Sequence, residues 1–362
     1  MTPESALAAA WHLDAEVQPL GDGMIHDTYR VQAPRGNRPP AAGRDFSPAS
    51  LAPPDATPHF RHGLPGAGEP LVLQRVNQTV FKDVNLLMDN VARVSAHLCA
   101  KRPRWAPELV PTAAGGSFSR DGNEVWRLWT WLPGAGALAR VETDRQAQVA
   151  GRGFGRTYRW LQDLAGPKLE DSIPGFLQLD HYLAEFDRSS GASADLARKV
   201  DANRELAARF RARTGYIHGD CRVEHLVLDD AGQPAGVLDL DTVMWGNWAW
   251  EFGDLIRSIL GERPLASRFE AAARGYLGEA GILATAEELV LAPRYTTFML
   301  AVRFLTDHLQ GDRYFKAVRR GENLIRAQAQ FRLLEAMESM EPEFLASASR
   351  ACQPTPLVSS TT

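Results

Sequence analysis

What this sequence lacks narrows its class quickly. Only three cysteines occur in 362 residues, Cys99, Cys221 and Cys352, far apart and odd in number, so no disulfide framework is indicated. No run of 18 apolar residues exists, which argues against a membrane-spanning helix. The N-terminal stretch carries acids at Glu4, Asp14 and Glu16 and no basic lead into an apolar core, so a secretion signal is not expected. Strong charge is missing as well: 40 Lys and Arg against 44 Asp and Glu leave a formal −4, with no electrostatic footprint for nucleic acid. A soluble cytoplasmic protein with neither nucleic-acid nor membrane partners is expected. Hydrophobic content is near average at 44%, and the length suffices for a sizeable core, most simply in two lobes.

The most informative stretch is Tyr216 to Asp254, YIHGDCRVEHLVLDDAGQPAGVLDLDTVMWGNWAWEFGD. An apolar lead-in meets the polar knot His218-Gly219-Asp220, and the apolar run Leu226-Val227-Leu228 follows. A turn cluster, Asp229 to Pro234, separates that run from a second one, Gly236-Val237-Leu238, which ends in Asp239 and Asp241. Two apolar runs around a Gly/Pro-containing turn predict a hairpin. Antiparallel pairing puts Asp220 and Asp239 at the same end of it. Clustered acids repel and raise one another's pKa unless they share a cation. The usual cation is Mg²⁺, a hard ion that takes carboxylate and phosphate oxygens. An Asp on a loop, followed by a hairpin ending in a metal-binding Asp, is the layout of kinase active sites.

With these residues in view, the stretch resembles the aminoglycoside phosphotransferase and choline kinase superfamily. Within it, VLDLDTVMWG followed by WEFGDLIR is similar to the N-acetylhexosamine 1-kinase (anomeric sugar kinase) branch. The segments PLGDGMIHDTY (19–29), LVLQRVNQTVFKDVNLLMDNV (71–91) and RFLTDHLQGDRYFK (303–316) resemble the same branch in the same order. The resemblance implies an α+β, protein-kinase-like bilobal fold, with a small β-rich N-lobe and a larger helical C-lobe. It also implies a kinase that uses ATP and Mg²⁺ to phosphorylate a sugar hydroxyl, most specifically the anomeric 1-OH of an N-acetylhexosamine or related hexose. Alternative readings are a kinase for another small alcohol, such as an aminoglycoside or amino alcohol, and a nucleotide-binding pseudokinase.

Along the chain, the lobes are expected at 1–132 and 133–351, with a disordered polar tail at 352–362. Gly21 and Gly23 sit in a turn between two strands, a flap whose backbone N–H groups could cover phosphates; the third glycine of GxGxxG is absent, and Ile25-His26 stand there instead. Residues 33–70 are rich in Pro, Gly, Ala and Arg without apolar periodicity, and read as a loop or disordered insertion. Leu71 to Val76 reads as a buried strand carrying Arg75, the candidate phosphate-gripping cation. Its expected acid partner is Asp89, on the amphipathic helix that follows. The break Leu132-Pro133-Gly134 is the expected hinge, where Trp129 and Trp131 could flank an adenine or simply pack in a core. Further on, Leu255 to Gly281, Ala286 to Arg303 and Leu324 to Met340 read as helices.

The resemblance assigns Asp220 as catalytic base, Asp239 as metal ligand, and Asp241 as second acidic ligand or substrate contact. His218 is expected to pack beneath the loop, and Glu251 and Asp254 to anchor the loop or cap a helix rather than touch substrate. Five residues after Asp220 the family pattern has Asn as a metal ligand, whereas this chain has His225, a poorer ligand for Mg²⁺ and a better one for Mn²⁺. Trp245, Arg303, Asp307 and Tyr314 are the candidate sugar contacts.

Overall fold

The computed structural model describes residues 1–21, 25–32, 68–134, 136–261 and 264–353. Gly23, most of the 33–70 insertion and nearly all of the 352–362 tail therefore lie outside the described residues. The chain divides into two compact units, Met1–Pro133 and Gly134–Thr362. No described helix is long and apolar enough to cross a membrane.

The first unit runs α1 (Pro3–Trp11), β1 (Glu16–Pro19), β2 (Asp27–Gln32), β3 (Leu71–Arg75), α2 (Val84–Lys101), β4 (Ser119–Asp121) and β5 (Glu124–Thr130). Its strands form one antiparallel sheet in the order β1-β2-β3-β5-β4. Side chains alternate between faces along a strand. One face gathers Val31, Leu71, Leu73, Trp126 and Leu128 against Ala6, Leu7 and Trp11 of α1. The other face is polar: Gln74 accepts from Arg127 (3.0 Å) and Trp129 (2.8 Å) and donates to Thr28 (3.2 Å). Arg127 is buried there and approaches Met88 of α2.

This alternation corrects one expectation. Arg75 shares its face with Leu73, the α1 side, and not the side that Arg127 and α2 occupy. Its guanidinium is held by Asp27, its register partner on β2, and by Glu124. Asp89, exposed on α2, is not its partner.

The second unit runs β6 (Gly136–Ala137), α3 (Asp144–Leu161), α4 (Leu179–Asp187), α5 (Ala194–Ala202), β7 (Gly215–Ile217), β8 (Leu226–Leu228), β9 (Pro234–Val237), β10 (Met244–Gly246), α6 (Trp248–Leu260), α7 (Ala266–Ala280), α8 (Ala286–Leu309), α9 (Glu322–Ser339) and α10 (Glu341–Ala351). Two small antiparallel sheets, β6-β8-β9 and β10-β7, are set among the helices. The stretch expected as one helix from Leu255 to Gly281 is two. Asn247 caps α6 through the Ala249 N–H, Gly261 ends it with φ 54°, and Pro264 precedes the start of α7.

Helix α3 packs on α7 backbone to backbone. A Cβ on Gly151 would lie 2.2 Å from the Ala272 carbonyl oxygen, and one on Gly155 would lie 2.5 Å from that of Tyr276. Gly278 on the same α7 has nothing within 4 Å of a Cβ built there. Alanine in a helix interior is normally better than glycine by about 1 kcal/mol. Gly278→Ala is therefore expected to raise the melting temperature slightly. Gly151→Ala is expected to lower stability by about 1–3 kcal/mol through overpacking. Thermal melts of the two variants beside wild type check the contrast; equal shifts would show that the close approach carries no energetic weight.

Candidate active site

Strand β7 delivers the loop His218-Gly219-Asp220. Gly219 has φ 83°, and a Cβ there would lie 2.5 Å from the Thr242 carbonyl oxygen, so this turn needs glycine. His218 is fully buried, with Nδ1 accepting from the Asp220 N–H (3.3 Å) and Nε2 donating to the Leu238 carbonyl (2.9 Å). Burial first, and the neighbouring His225 second, lower its pKa and keep the imidazole neutral. The ring is a strut that ties the loop to the end of β9.

Beneath the loop lies Glu251 of α6, 1% exposed. Its carboxyl accepts from the His218 N–H (2.5 Å) and the Tyr276 hydroxyl (3.2 Å), and the Cys221 thiol donates to it as well. Burial pushes the Glu251 carboxyl up to about 8, although these donors act in the opposite sense. Burial also raises the Cys221 thiol, which keeps it protonated. Asp254 is paired with Arg257 one turn further along (2.7 Å).

Strands β8 and β9 pair with Leu226 opposite Val237, and this brings the 3₁₀ turn Val223–His225 beside Asp239. Asp239 adopts φ 59°, a left-handed conformation that aspartate tolerates better than most residues. Asp220, His225 and Asp239 each offer a ligand atom, all within 4.8 Å of one another. His225 Nδ1 lies 3.0 Å from the Asp220 carbonyl, and its Nε2 lies 3.6 Å from Asp239 and 2.9 Å from Arg222 Nη2. Two carboxylates and an imidazole nitrogen fit a divalent cation. Asp241, expected as a second acidic ligand or a substrate contact, is 2% exposed and is not one of the three clustered ligands.

Arg222 lies among the three. Its Nε donates to Asp220 Oδ1 (2.9 Å), and its Nη2 donates to Asp220 Oδ2 (3.3 Å) and His225 Nε2 (2.9 Å). Burial opposes ionisation of Asp220, but His225 and Arg222 outweigh it and hold the carboxyl well below the usual range. Sequence reasoning does not single out Arg222; the available signal is its position two residues after Asp220.

Of the candidate sugar contacts, Arg303 and Tyr314 come together, with the guanidinium 5.4 Å from the ring centre. Phe176, Tyr182 and Phe315 surround the same guanidinium. Phe176 and Tyr182 escape sequence reasoning; the turn at Ile173-Pro174-Gly175 that presents Phe176 was the signal. Asp307 is a correction. It is buried, and its carboxylate is taken up by the N–H groups of Arg313, Tyr314 and Phe315 and by Asn323, so it positions Tyr314 and faces no substrate. Trp245 donates to the Arg213 carbonyl and packs edge-on against Tyr216, with Lys168 over its ring at 4.0 Å. It lines an open hollow of about 610 Å³ in which none of the three clustered ligands takes part. Trp250 is core, stacked on Tyr295.

A loop aspartate, a hairpin aspartate and an imidazole sharing one cation site are the parts of a phosphoryl-transfer centre. The sequence matches the phosphotransferase enzyme family over residues 16–289. This chain belongs to that family. It is accordingly a small-molecule phosphotransferase with a protein-kinase-like α+β fold, as the sequence leads one to expect. Among solved structures it is similar to a choline/ethanolamine kinase family protein from Mesorhizobium loti, at 16% identity and TM-score 0.57, covering 96% of this chain and 98% of that one. It is also similar to a microcompartment-associated aminopropanol kinase, at 14% identity and TM-score 0.63 with 92% and 94% covered. A third is amicoumacin kinase bound to AMP-PNP and Ca²⁺, at 13% identity and TM-score 0.58 with 92% of both chains covered. At these identities the likeness is one of fold.

The raised Glu251 carboxyl makes a prediction about pH. A carboxyl raised from 4.5 in the unfolded chain to about 8 in the fold contributes stability that is complete at low pH and is lost as pH rises to about 8. Glu251→Gln, which keeps an acceptor oxygen and cannot ionise, is expected to flatten that decline, on the order of a few kcal/mol across the window. Melting temperatures of both proteins from pH 5 to 9 test this; parallel profiles would show that Glu251 does not titrate there.

Proposed function

We propose that the protein is an ATP- and Mg²⁺-dependent kinase that phosphorylates a sugar hydroxyl, the anomeric 1-OH of an N-acetylhexosamine or related hexose, giving a sugar 1-phosphate. The observation that carries the phosphotransfer part is the convergence of Asp220, His225 and Asp239 within 4.8 Å at one end of the β8–β9 hairpin. The sugar part rests on the resemblance of VLDLDTVMWG, WEFGDLIR and RFLTDHLQGDRYFK to the anomeric sugar kinases. Arg303 and Tyr314, from the last of these segments, adjoin one another, which supports that reading.

In this mechanism Asp220 orients the acceptor hydroxyl and takes its proton, using the lone pairs left by Arg222, which donates one bond to each of its oxygens. Asp239 and His225 would hold the divalent ion, which neutralises phosphate charge when bound. His218 and Glu251 keep the Asp220 loop in place from below. The alternative acceptor is an amino alcohol, as the names of the choline/ethanolamine and aminopropanol kinases among the structural neighbours suggest. The alternative without turnover is a nucleotide-binding pseudokinase, to which His225 and the Arg222–Asp220 pair lend support.

The test is ADP release across a panel of free sugars and amino alcohols, with Mg²⁺ and with Mn²⁺. A sugar substrate is expected. Asp220→Asn is expected to lower kcat by about 10²–10⁴-fold with nucleotide affinity nearly intact. Retention of more than about a tenth of kcat would remove Asp220 from the base role. Separately, Asp239→Ala is expected to abolish the Mg²⁺ dependence of nucleotide binding, read by calorimetry; unchanged Mg²⁺-ATP affinity would exclude it as a ligand. Nucleotide binding with no turnover on any alcohol would leave the pseudokinase.

A further inference from the structure

Arg222 stands among the three clustered ligands, and the backbone fixes its place there. It caps the 3₁₀ turn Val223–His225 with extended dihedrals, φ −68° and ψ 143°, and its carbonyl accepts from the His225 N–H at 2.9 Å. The next N–H, that of Val223, donates to Ser258 Oγ of α6 at 2.9 Å and ties the turn to that helix. From this anchored segment Nε and Nη2 donate to the two Asp220 oxygens at 2.9 and 3.3 Å. Nη2 also lies 2.9 Å from His225 Nε2, and Nη1 lies 3.7 Å from the exposed Glu224. Burial opposes the charge on Arg222, but Asp220, Glu224 and Asp239 outweigh it, and the guanidinium stays ionised.

These contacts use up what a second metal ion would need. An arginine N–H can only donate, so its hydrogen bond to His225 Nε2 takes the one lone pair that nitrogen offers. The nitrogen stands where the family pattern places an amide oxygen for a metal ion, and it can serve Arg222 or an ion, not both. Each Asp220 oxygen already accepts from Arg222, and a guanidinium at that distance repels a further cation. Asp239, 36% exposed, is the clustered carboxylate that Arg222 leaves open. Charge points the same way. Two carboxylates and one guanidinium carry a single net negative charge, which one divalent ion more than offsets.

Resting on the phosphotransfer reading above, we propose that this centre takes one divalent ion with its nucleotide, and that Arg222 supplies the positive charge that a second ion brings in two-metal kinases. The imidazole at 225 and the arginine at 222 are then one coupled change: the first gives up the oxygen ligand of the second ion, and the other brings its charge. A guanidinium stabilises phosphate oxygens through directed N–H groups as well as charge. Nη1, with Glu224 at 3.7 Å, is the arm that can turn to a phosphate oxygen while Nε and Nη2 stay on Asp220.

The experiment counts ions. Mn²⁺ is titrated into equimolar protein and AMP-PNP, well above their Kd, with free Mn²⁺ read by electron paramagnetic resonance; calorimetry gives the AMP-PNP affinity at low and high Mg²⁺. Wild type is expected to bind one Mn²⁺ per complex. Arg222→Gln is expected to bind two, and its AMP-PNP affinity at low metal to fall by about 10–100-fold, the scale of a hydrogen bond to a charged group, recovering as metal is raised. Arg222→Lys, which keeps the charge, and His225→Asn, which keeps Arg222, are both expected to stay at one ion. The double variant Arg222→Gln/His225→Asn is expected to take a second Mg²⁺ as readily as a second Mn²⁺, because the amide supplies a harder oxygen ligand. Two ions in wild type would overturn the inference and leave phosphotransfer standing. One ion in Arg222→Gln, whatever its affinity, would overturn it as well. Loss of AMP-PNP binding in both Arg222 variants, with lowered melting temperatures, would make Arg222 a structural residue and end the proposal. Wild type that binds no AMP-PNP with either metal would sink the phosphotransfer reading and this inference with it. One ion bound with AMP-PNP but no turnover on any alcohol would uphold the inference in a pseudokinase.

Discussion

The candidate centre rests on one buried carboxyl. Glu251 lies under the Asp220 loop with the His218 N–H, the Tyr276 hydroxyl and the Cys221 thiol all directed at it. A group this deeply buried cannot be left without partners, because an unpaired polar group in the interior costs several kcal/mol. The loop, α6 and α7 are therefore held by the same few hydrogen bonds. The glycine-lined approach of α3 to α7 sets where Tyr276 stands, so helix packing and loop position are a single constraint.

Above that anchor the electrostatics are of a different kind. Asp220, Asp239 and His225 lie close together with Arg222 among them, a cation of the chain's own beside a group that suits a divalent ion. Acids left alone at that spacing would take up protons; with Arg222 and His225 beside it Asp220 stays charged. Replacing the family's amide by imidazole is compatible with this arrangement. Nδ1 lies against the Asp220 carbonyl, and the other nitrogen is within reach of Arg222 and Asp239.

Much of this was legible beforehand because it is local. The turn at Asp229 to Pro234 between two apolar runs specifies the hairpin, and antiparallel pairing alone then puts Asp220 and Asp239 at one end. His218 as a buried strut and Glu251 as a loop anchor follow from their places beside the same motif. The misreadings share one cause. Arg75 and Asp89 looked like a pair because they are close in sequence, but alternation on β3 turns Arg75 to the α1 face, where Asp27 and Glu124 take it. Asp307 looked like a sugar contact because it lies next to Arg303 in a family-like segment, yet its carboxylate is consumed in closing the loop after α8.

By itself, then, the sequence determined what periodicity and turn chemistry dictate: a β-rich first part, a helical second part, a hairpin with acids at its end, and the family to which it belongs. Only the tertiary structure decided which charges meet. Arg222 falls on Asp220, Arg303 is boxed by Phe176 and Tyr182 from over a hundred residues earlier in the chain, and Glu251 finds Tyr276 across two helices. The reason is physical: side-chain electrostatics depend on distances of a few ångströms between groups far apart in sequence, and those distances exist only once the helices have packed.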